Sequence, residues 1–322
     1  ANMASDLGEF ELAVDCHAGL PCDAMELRLL PSHARHIDAE VEASIEAEWE
    51  AKLARHPRLF NGRKFRYGGA RVNGGGDGMR LTLELGLTDY RAMVGTNLSP
   101  RFGELLGRDP RLLSNALGNG AVVETSDGCV MLLLRSPQML EAPNTYVFPG
   151  GHPEPLSVGL EAWGEAELRE HSRQAAGGGA AAGGGDAAAA VAVERRVCDE
   201  CFASVRREVV EELGCRDEDL CTAPDKPPLL LGISLRNANY RYTMAFVLSC
   251  ASSSAEIIAR YRAGYAEDSF ESTRLVALPR ASLAERARSL PMPGCHRGVL
   301  ELYLRHLDAR SHAPVEPEGA KL

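Results

Sequence analysis

The residues best suited to chemistry stand in the run Arg207-Glu208-Val209-Val210-Glu211-Glu212-Leu213-Gly214. At 3.6 residues per turn, Glu208, Glu211 and Glu212 fall at i, i+3 and i+4 and share one helix face, while Val209, Val210 and Leu213 pack elsewhere. Exposed carboxylates at this spacing repel one another by roughly 0.2–0.5 kcal/mol per pair. The same crowding suits a hard divalent cation, since Mg²⁺ takes oxygen ligands and shares them with substrate phosphates. Glu208 and Glu212 are the first candidates for metal ligands. Glu211 is a further ligand, or a carboxylate that orders metal water. Arg207 is expected to brace these carboxylates through a bidentate ion pair. On these residues alone, a solvated acidic helix face is an equally good reading.

A helix ending at Gly214 can carry these groups, and the elements around it are legible. Upstream, Ile37, Val41, Ile45, Trp49 and Leu53 recur every fourth residue and predict an amphipathic helix. Lys64 to Val72 and Arg80 to Leu87 read as a hairpin around Asn73-Gly74-Gly75-Gly76-Asp77-Gly78. Thr88 is positioned to cap a short helix carrying Tyr90 and Met93. From Gly120 short strands take over: Ala121–Glu124, Val130–Leu134, Tyr146–Phe148 before Pro149-Gly150-Gly151, Leu229–Leu235, Arg241–Cys250 and Leu275–Leu278. The Ala/Gly tract between 175 and 190 reads as a flexible insertion, with a helix resuming near Val197. Cys295 to Leu307 predicts a C-terminal helix, and Ala313 onward a polar tail. Interleaved strands and helices predict an α/β sandwich, with an N-terminal α+β domain over 1–115 packed on a second domain over 116–322.

Composition narrows the partners. The 322 residues include 45 Asp and Glu against 35 Lys and Arg, a net charge of −10. That argues against a nucleic-acid duplex as the main partner, because phosphate contacts need clustered cations. An anionic ligand must instead be captured locally, by arginines or metal. No apolar run reaches the roughly 18 residues of a membrane span, and Ala1-Asn2-Met3 has no apolar signal core. With nine scattered cysteines, the expectation is a chain of reduced thiols in the cytoplasm or nucleus. Cys198 and Cys201 with Cys215 and Cys221 offer four thiols, but their placement argues against zinc. The glycine tract lacks the Gly-Lys-Ser/Thr of a phosphate loop.

The run R-E-V-V-E-E-L-G resembles the second half of the Nudix box, and Pro149-Gly150-Gly151 resembles the glycine turn that opens it. Here the two halves are separated by a long insertion, and the box's remaining Glu falls on either Asp199 or Glu200. A narrower resemblance, to the eukaryotic Nudix branch that hydrolyses UDP-glucose and UDP-galactose, runs through Tyr146 to Pro155, Pro57 to Phe60, Leu85 to Tyr90, Gly95-Thr96-Asn97, Leu229 to Ile233 and Glu271-Ser272-Thr273. It looks more like a plant member than an animal one.

The resemblance implies a Nudix α/β/α sandwich with an added N-terminal α+β domain that helps build the site. It implies Mg²⁺, with Mn²⁺ as a substitute, and hydrolysis of a nucleotide sugar to UMP and sugar 1-phosphate. It places metal on Glu208 and Glu212, and an extra carboxylate, base or ligand, at Glu271. It implies that Arg135 meets a phosphate, that His152 and Glu154 contact sugar or phosphate, and that Phe60 and Tyr90 hold the uracil. Leu140 and Val147 would line the pocket. Two other readings stand beside this one: hydrolysis of another diphosphate such as ADP-ribose, and a Nudix-fold binding module without catalysis.

Overall fold

Strands without polar alternation need cover on both faces, and the arrangement of the central sheet supplies it. The computed structural model describes residues 9–57, 59–75, 78–139, 141–176, 184–221, 227–267 and 271–312. Ten strands are described: β1 (Phe10–Leu20), β2 (Met25–Leu29), β3 (Arg63–Asn73), β4 (Arg80–Asp89), β5 (Leu117–Glu124), β6 (Cys129–Arg135), β7 (Tyr146–Val147), β8 (Leu229–Arg236), β9 (Arg241–Ser249) and β10 (Ser272–Pro279). The larger sheet has seven of them in the order β1-β8-β9-β5-β6-β10, with β7 paired to β6. It is mixed, because β5 and β9 run parallel while the other pairs are antiparallel.

Alternate residues of each strand enter different cores. Ala121, Val123, Met131, Leu133, Met244 and Phe246 face one side, where they meet Val205, Val209 and Leu213 of the long helix α5 (Gly184–Leu213). Val122, Val130, Leu132 and Ala245 face the other side, against Val299, Leu302 and Tyr303 of α8 (Gly294–His312). The result is an α/β fold, with helix on both faces of one sheet.

A second sheet, in the order β2-β4-β3, joins α1 (Ala39–Arg55), α2 (Tyr90–Gly95) and α3 (Phe102–Arg108) in the first third of the chain. Leu81, Leu83, Leu85 and Phe65 carry the first core into this sheet. Strand β1 lies in the seven-stranded sheet, on β8. The N-terminal segment therefore supplies an edge of the central sheet as well as the smaller layer.

The insertion departs from its expected form. Helix α4 (Glu165–Ala176) occupies its upstream flank, and α5 begins at Gly184 instead of near Val197. Alanine is the best intrinsic helix former, so Ala187–Ala190 extend the carboxylate helix where composition alone read a spacer. The centre of the tract, 177–183, lies outside the described residues, as do 76–77 of the hairpin turn and the tail from Ala313. Another correction is local. Asp89, not Thr88, caps α2, accepting from the Ala92 N–H at 2.8 Å, while the Thr88 hydroxyl pairs with Ser114 at 2.7 Å. The remaining two helices are α6 (Ser254–Arg262) and α7 (Leu283–Arg288).

Candidate active site

The site forms where the glycine turn after β7 presses against the last turns of α5. The turn is clipped to β5: Asn119 N–H donates to the Gly151 carbonyl at 2.9 Å and Ala121 N–H to the Pro149 carbonyl at 2.7 Å. The Asn119 side chain accepts from Gly151 N–H at 2.8 Å and donates to Ser204 on α5 at 2.9 Å. This bridge fixes turn, strand and helix relative to one another. The turn then offers its free N–H groups to the carboxylates: Gly150 donates to Glu212 at 2.8 Å and His152 to Glu208 at 3.4 Å. A Cβ at Gly151 would overlap the Glu208 carboxylate, and one at Gly150 the Asn119 carbonyl, so close approach requires both glycines.

The electrostatics are those of a crowded anionic pocket. Burial pushes the Glu208 carboxyl up to about 7, with Glu211 and Glu271 adding to the effect while the His152 N–H and Lys64 oppose it. Burial, then the neighbouring Glu208, raises Glu212 well above the carboxylate range against the pull of Gly150 N–H and Arg135. Glu271, just before β10, thus enters the same cluster from another element. Its own backbone carbonyl accepts from Ser136 N–H at 2.8 Å, which ties it to the end of β6.

The ambiguity at the box's remaining acid resolves in space. Glu200 is buried, receives Arg207 through two bonds of 2.6 and 3.1 Å, and accepts from Glu154 N–H at 3.1 Å. Asp199 is more than half exposed and pairs with Arg195. The bidentate partner of Arg207 is therefore Glu200, while Glu211 of the carboxylate face also acts on the guanidinium. About two turns of helix separate Glu200 from Arg207, and the fork reaches back toward the N-terminus. Glu154 in turn meets Lys64 of β3 at 3.0 Å, so the smaller sheet contributes a cation to the turn.

The remaining expected residues divide. Arg135 ends β6 and Val147 lies in β7, and both line a cavity beside Gly150. His152 is kept neutral by burial and by Arg241 and Lys64, and its Nε2 is buried without a hydrogen-bond partner. Tyr90 stacks edge-on against Trp49 at 6.1 Å, and its phenol is kept protonated by burial and by Glu141. Arg241, Arg135 and Glu271 also act on that phenol, so its hydroxyl belongs to the same charged neighbourhood. Phe60 is 73% exposed, in the loop before β3. Gly62, two residues on, accepts from the Tyr90 N–H at 3.0 Å, which ties this loop to the start of α2. Leu140 lies outside the described residues.

Sequence reasoning missed Asn119, Lys64, Glu141, Arg236 and Arg241. Each sits on a separate strand or loop with no motif spacing to mark it. The one available hint was the argument that an acidic chain must capture anions with local arginines. Of the four thiols noted in the sequence, Cys198 lies 3.7 Å from Cys22.

No family model matches the chain. It is 37% identical over 314 residues to Nudix hydrolase 9 of Arabidopsis thaliana, covering 94% of this chain and 92% of that one. It is 32% identical over 266 residues to the uridine diphosphate glucose pyrophosphatase NUDT22 of Homo sapiens, covering 80% and 78% respectively. A solved structure, the MutT protein from Methanosarcina mazei Go1, aligns with 61% of this chain and 94% of its own at 15% identity and a TM-score of 0.33, too distant to carry weight. With an identity above 30% across nearly the whole length, and with the glycine turn and the carboxylate helix joined in one site, the chain belongs to the Nudix hydrolase family.

Proposed function

We propose that this protein hydrolyses the diphosphate of a UDP-sugar such as UDP-glucose or UDP-galactose, with Mg²⁺, to UMP and sugar 1-phosphate. The observation that carries the reading is the pair Glu208 and Glu212, pinned by turn N–H groups beside a cavity that Arg135 lines. The residues fit a divalent ion. Glu208 and Glu212 are all-oxygen donors whose ionised forms destabilise each other, and a cation removes that penalty. Two carboxylates would leave an octahedral ion free to keep waters and to take its other ligands from substrate phosphates.

When bound, such an ion neutralises charge on the diphosphate and orders the attacking water. The chain's own groups do the rest. Gly150 and His152 N–H hold the two carboxylates in place, and Asn119 holds the turn. Arg135 offers a guanidinium to the phosphate. Glu271, just before β10, accepts the water's proton. Tyr90 and Phe60 take the base. The narrowing to UDP-sugars rests on the resemblance through the glycine turn and on the name of the human relative, a uridine diphosphate glucose pyrophosphatase.

A panel of UDP-, ADP- and GDP-sugars with Mg²⁺, read by product identity, tests this. The expected outcome is UMP with sugar 1-phosphate from UDP-glucose. Preference for ADP-ribose would sink the UDP-sugar reading, and absence of any diphosphate turnover would sink the hydrolytic one.

A further inference from the structure

The cavity beside the glycine turn holds more positive charge than the chemistry above uses. Arg135, Arg236 and Arg241 all line it, and among the described residues the one carboxylate in its wall is Glu141. Arg236 and Arg241 are largely buried. The Glu141 carboxylate accepts from Arg236 at 3.0 Å, from Asn239 Nδ2 at 3.2 Å, and from Arg241. Arg135 donates to the Glu141 backbone carbonyl at 3.1 Å and its charge also acts on the Glu141 carboxylate, so three guanidiniums share that one acid in the wall. Pro293 to His296, the first turn of the 19-residue helix α8, closes the cavity with the positive end of a helix dipole. His296 is held neutral by burial and by Arg241 and Arg135, and its Nδ1 accepts from Phe148 N–H at 3.3 Å.

A separate observation points to a ligand. Arg236 Nε is buried with no hydrogen-bond partner, and so is Asn239 Oδ1 beside it. Buried guanidinium donors are nearly always satisfied, and an orphan one marks a place where an acceptor is wanted. The connection carrying Glu141 is also conformationally costly. Ala142 and Asn144 hold φ of 46° and 58°, the left-handed region that residues with a Cβ avoid.

We propose that this cavity is a phosphoryl-binding subsite and that Glu141 is its built-in competitor, its carboxylate occupying on Arg236 and Arg241 the position a phosphoryl group takes. A carboxylate and a phosphoryl group present the same pair of oxygens to a guanidinium fork. A phosphoryl dianion brings twice the charge and a third oxygen, which suits a wall with surplus cations. Glu141 then weakens the hold on a phosphorylated product and speeds its release. The inference rests on the reading of this site as a diphosphate hydrolase and names the group that enters the cavity.

Calorimetric titration of the metal-free protein with UMP, glucose 1-phosphate and inorganic phosphate tests it. Glu141→Gln should tighten at least one of the three by about tenfold or more, the scale of one charge-assisted hydrogen bond no longer displaced. The ligand that gains identifies the source of the phosphoryl group: nucleotide, sugar phosphate or the free ion. Arg241→Gln in the Glu141→Gln background should reverse the gain. Dissociation constants within twofold of wild type for all three ligands would overturn the proposal, as would a gain that survives Arg241→Gln. Should Glu141→Gln fold poorly, Glu141→Asp draws the carboxylate back from both arginines while keeping its charge; tighter binding than wild type supports the proposal and binding within twofold of wild type overturns it. Turnover of UDP-glucose is measured separately. Tightened binding without turnover sinks the proposed reaction alone, and turnover with unchanged binding sinks this inference alone.

Discussion

Gly151 stands where any side chain would overlap the Glu208 carboxylate. The turn and the helix approach so closely that the glycine and the acid form one fitted surface, although a long insertion separates them in the chain. Gly151→Ala should therefore push Glu208 off the His152 N–H and lower kcat by about tenfold or more, a misplacement effect on the scale of one ångström. Gly107→Ala is the control: it lies on exposed α3 with open space around its Cβ position. That change should leave activity intact and raise stability by about 0.5–1 kcal/mol. Full activity in Gly151→Ala would contradict the fit.

Glu212→Gln should remove nearly all turnover while the fold survives. Losing a metal ligand costs several kcal/mol of transition-state stabilisation, and each 1.36 kcal/mol is a factor of about ten in rate. A folded variant retaining more than about a tenth of wild-type kcat would exclude Glu212 from the metal site.

The raised Glu208 gives a pH signature. Its folded-state value of about 7 lies above the ordinary 4.5, so the metal-free native state binds the extra proton between those limits. Stability from this group is present below 4.5 and is lost as pH rises toward and through 7, by about 3 kcal/mol in full. Glu208→Gln should match wild type near pH 4.5 and melt several degrees higher at pH 8 without metal. Saturating Mg²⁺ should erase that advantage by stabilising only wild type. Parallel melting curves for the two proteins across this range would show that Glu208 is not desolvated as described.

Base recognition and chemistry should separate in two variants. If Tyr90 holds the base, Tyr90→Ala should raise KM for UDP-glucose about 5- to 150-fold, the span of base–aromatic stacking, with a smaller effect on kcat. Arg135→Ala should lower kcat as well if, as proposed, it faces the phosphate where charge shifts. An unchanged KM in Tyr90→Ala would reduce Tyr90 to the partner that packs against Trp49.

Periodicity and turn chemistry made much of the scaffold readable. Ile45 and Trp49 at helical spacing, Leu81, Leu83 and Leu85 in alternation, and Gly214 as a helix stop all act through local backbone preference and burial, which a window of sequence contains. The carboxylate helix and the glycine turn were readable for the same reason, since each is a short contiguous run. Resemblance, rather than physics, joined those two halves and drew attention to Arg135, His152 and Tyr90. Strand β1 was overlooked because it gains its place only by pairing with β8, far along the chain. The choice of Glu200 over Asp199 was likewise beyond the sequence: adjacent acids on a helix differ only in which one faces the turn. Asn119, Lys64, Glu141 and Arg241 come from separate strands and loops. Their roles arise from burial, low local dielectric and the distance to a partner, and those quantities exist only once the sheet has closed around them.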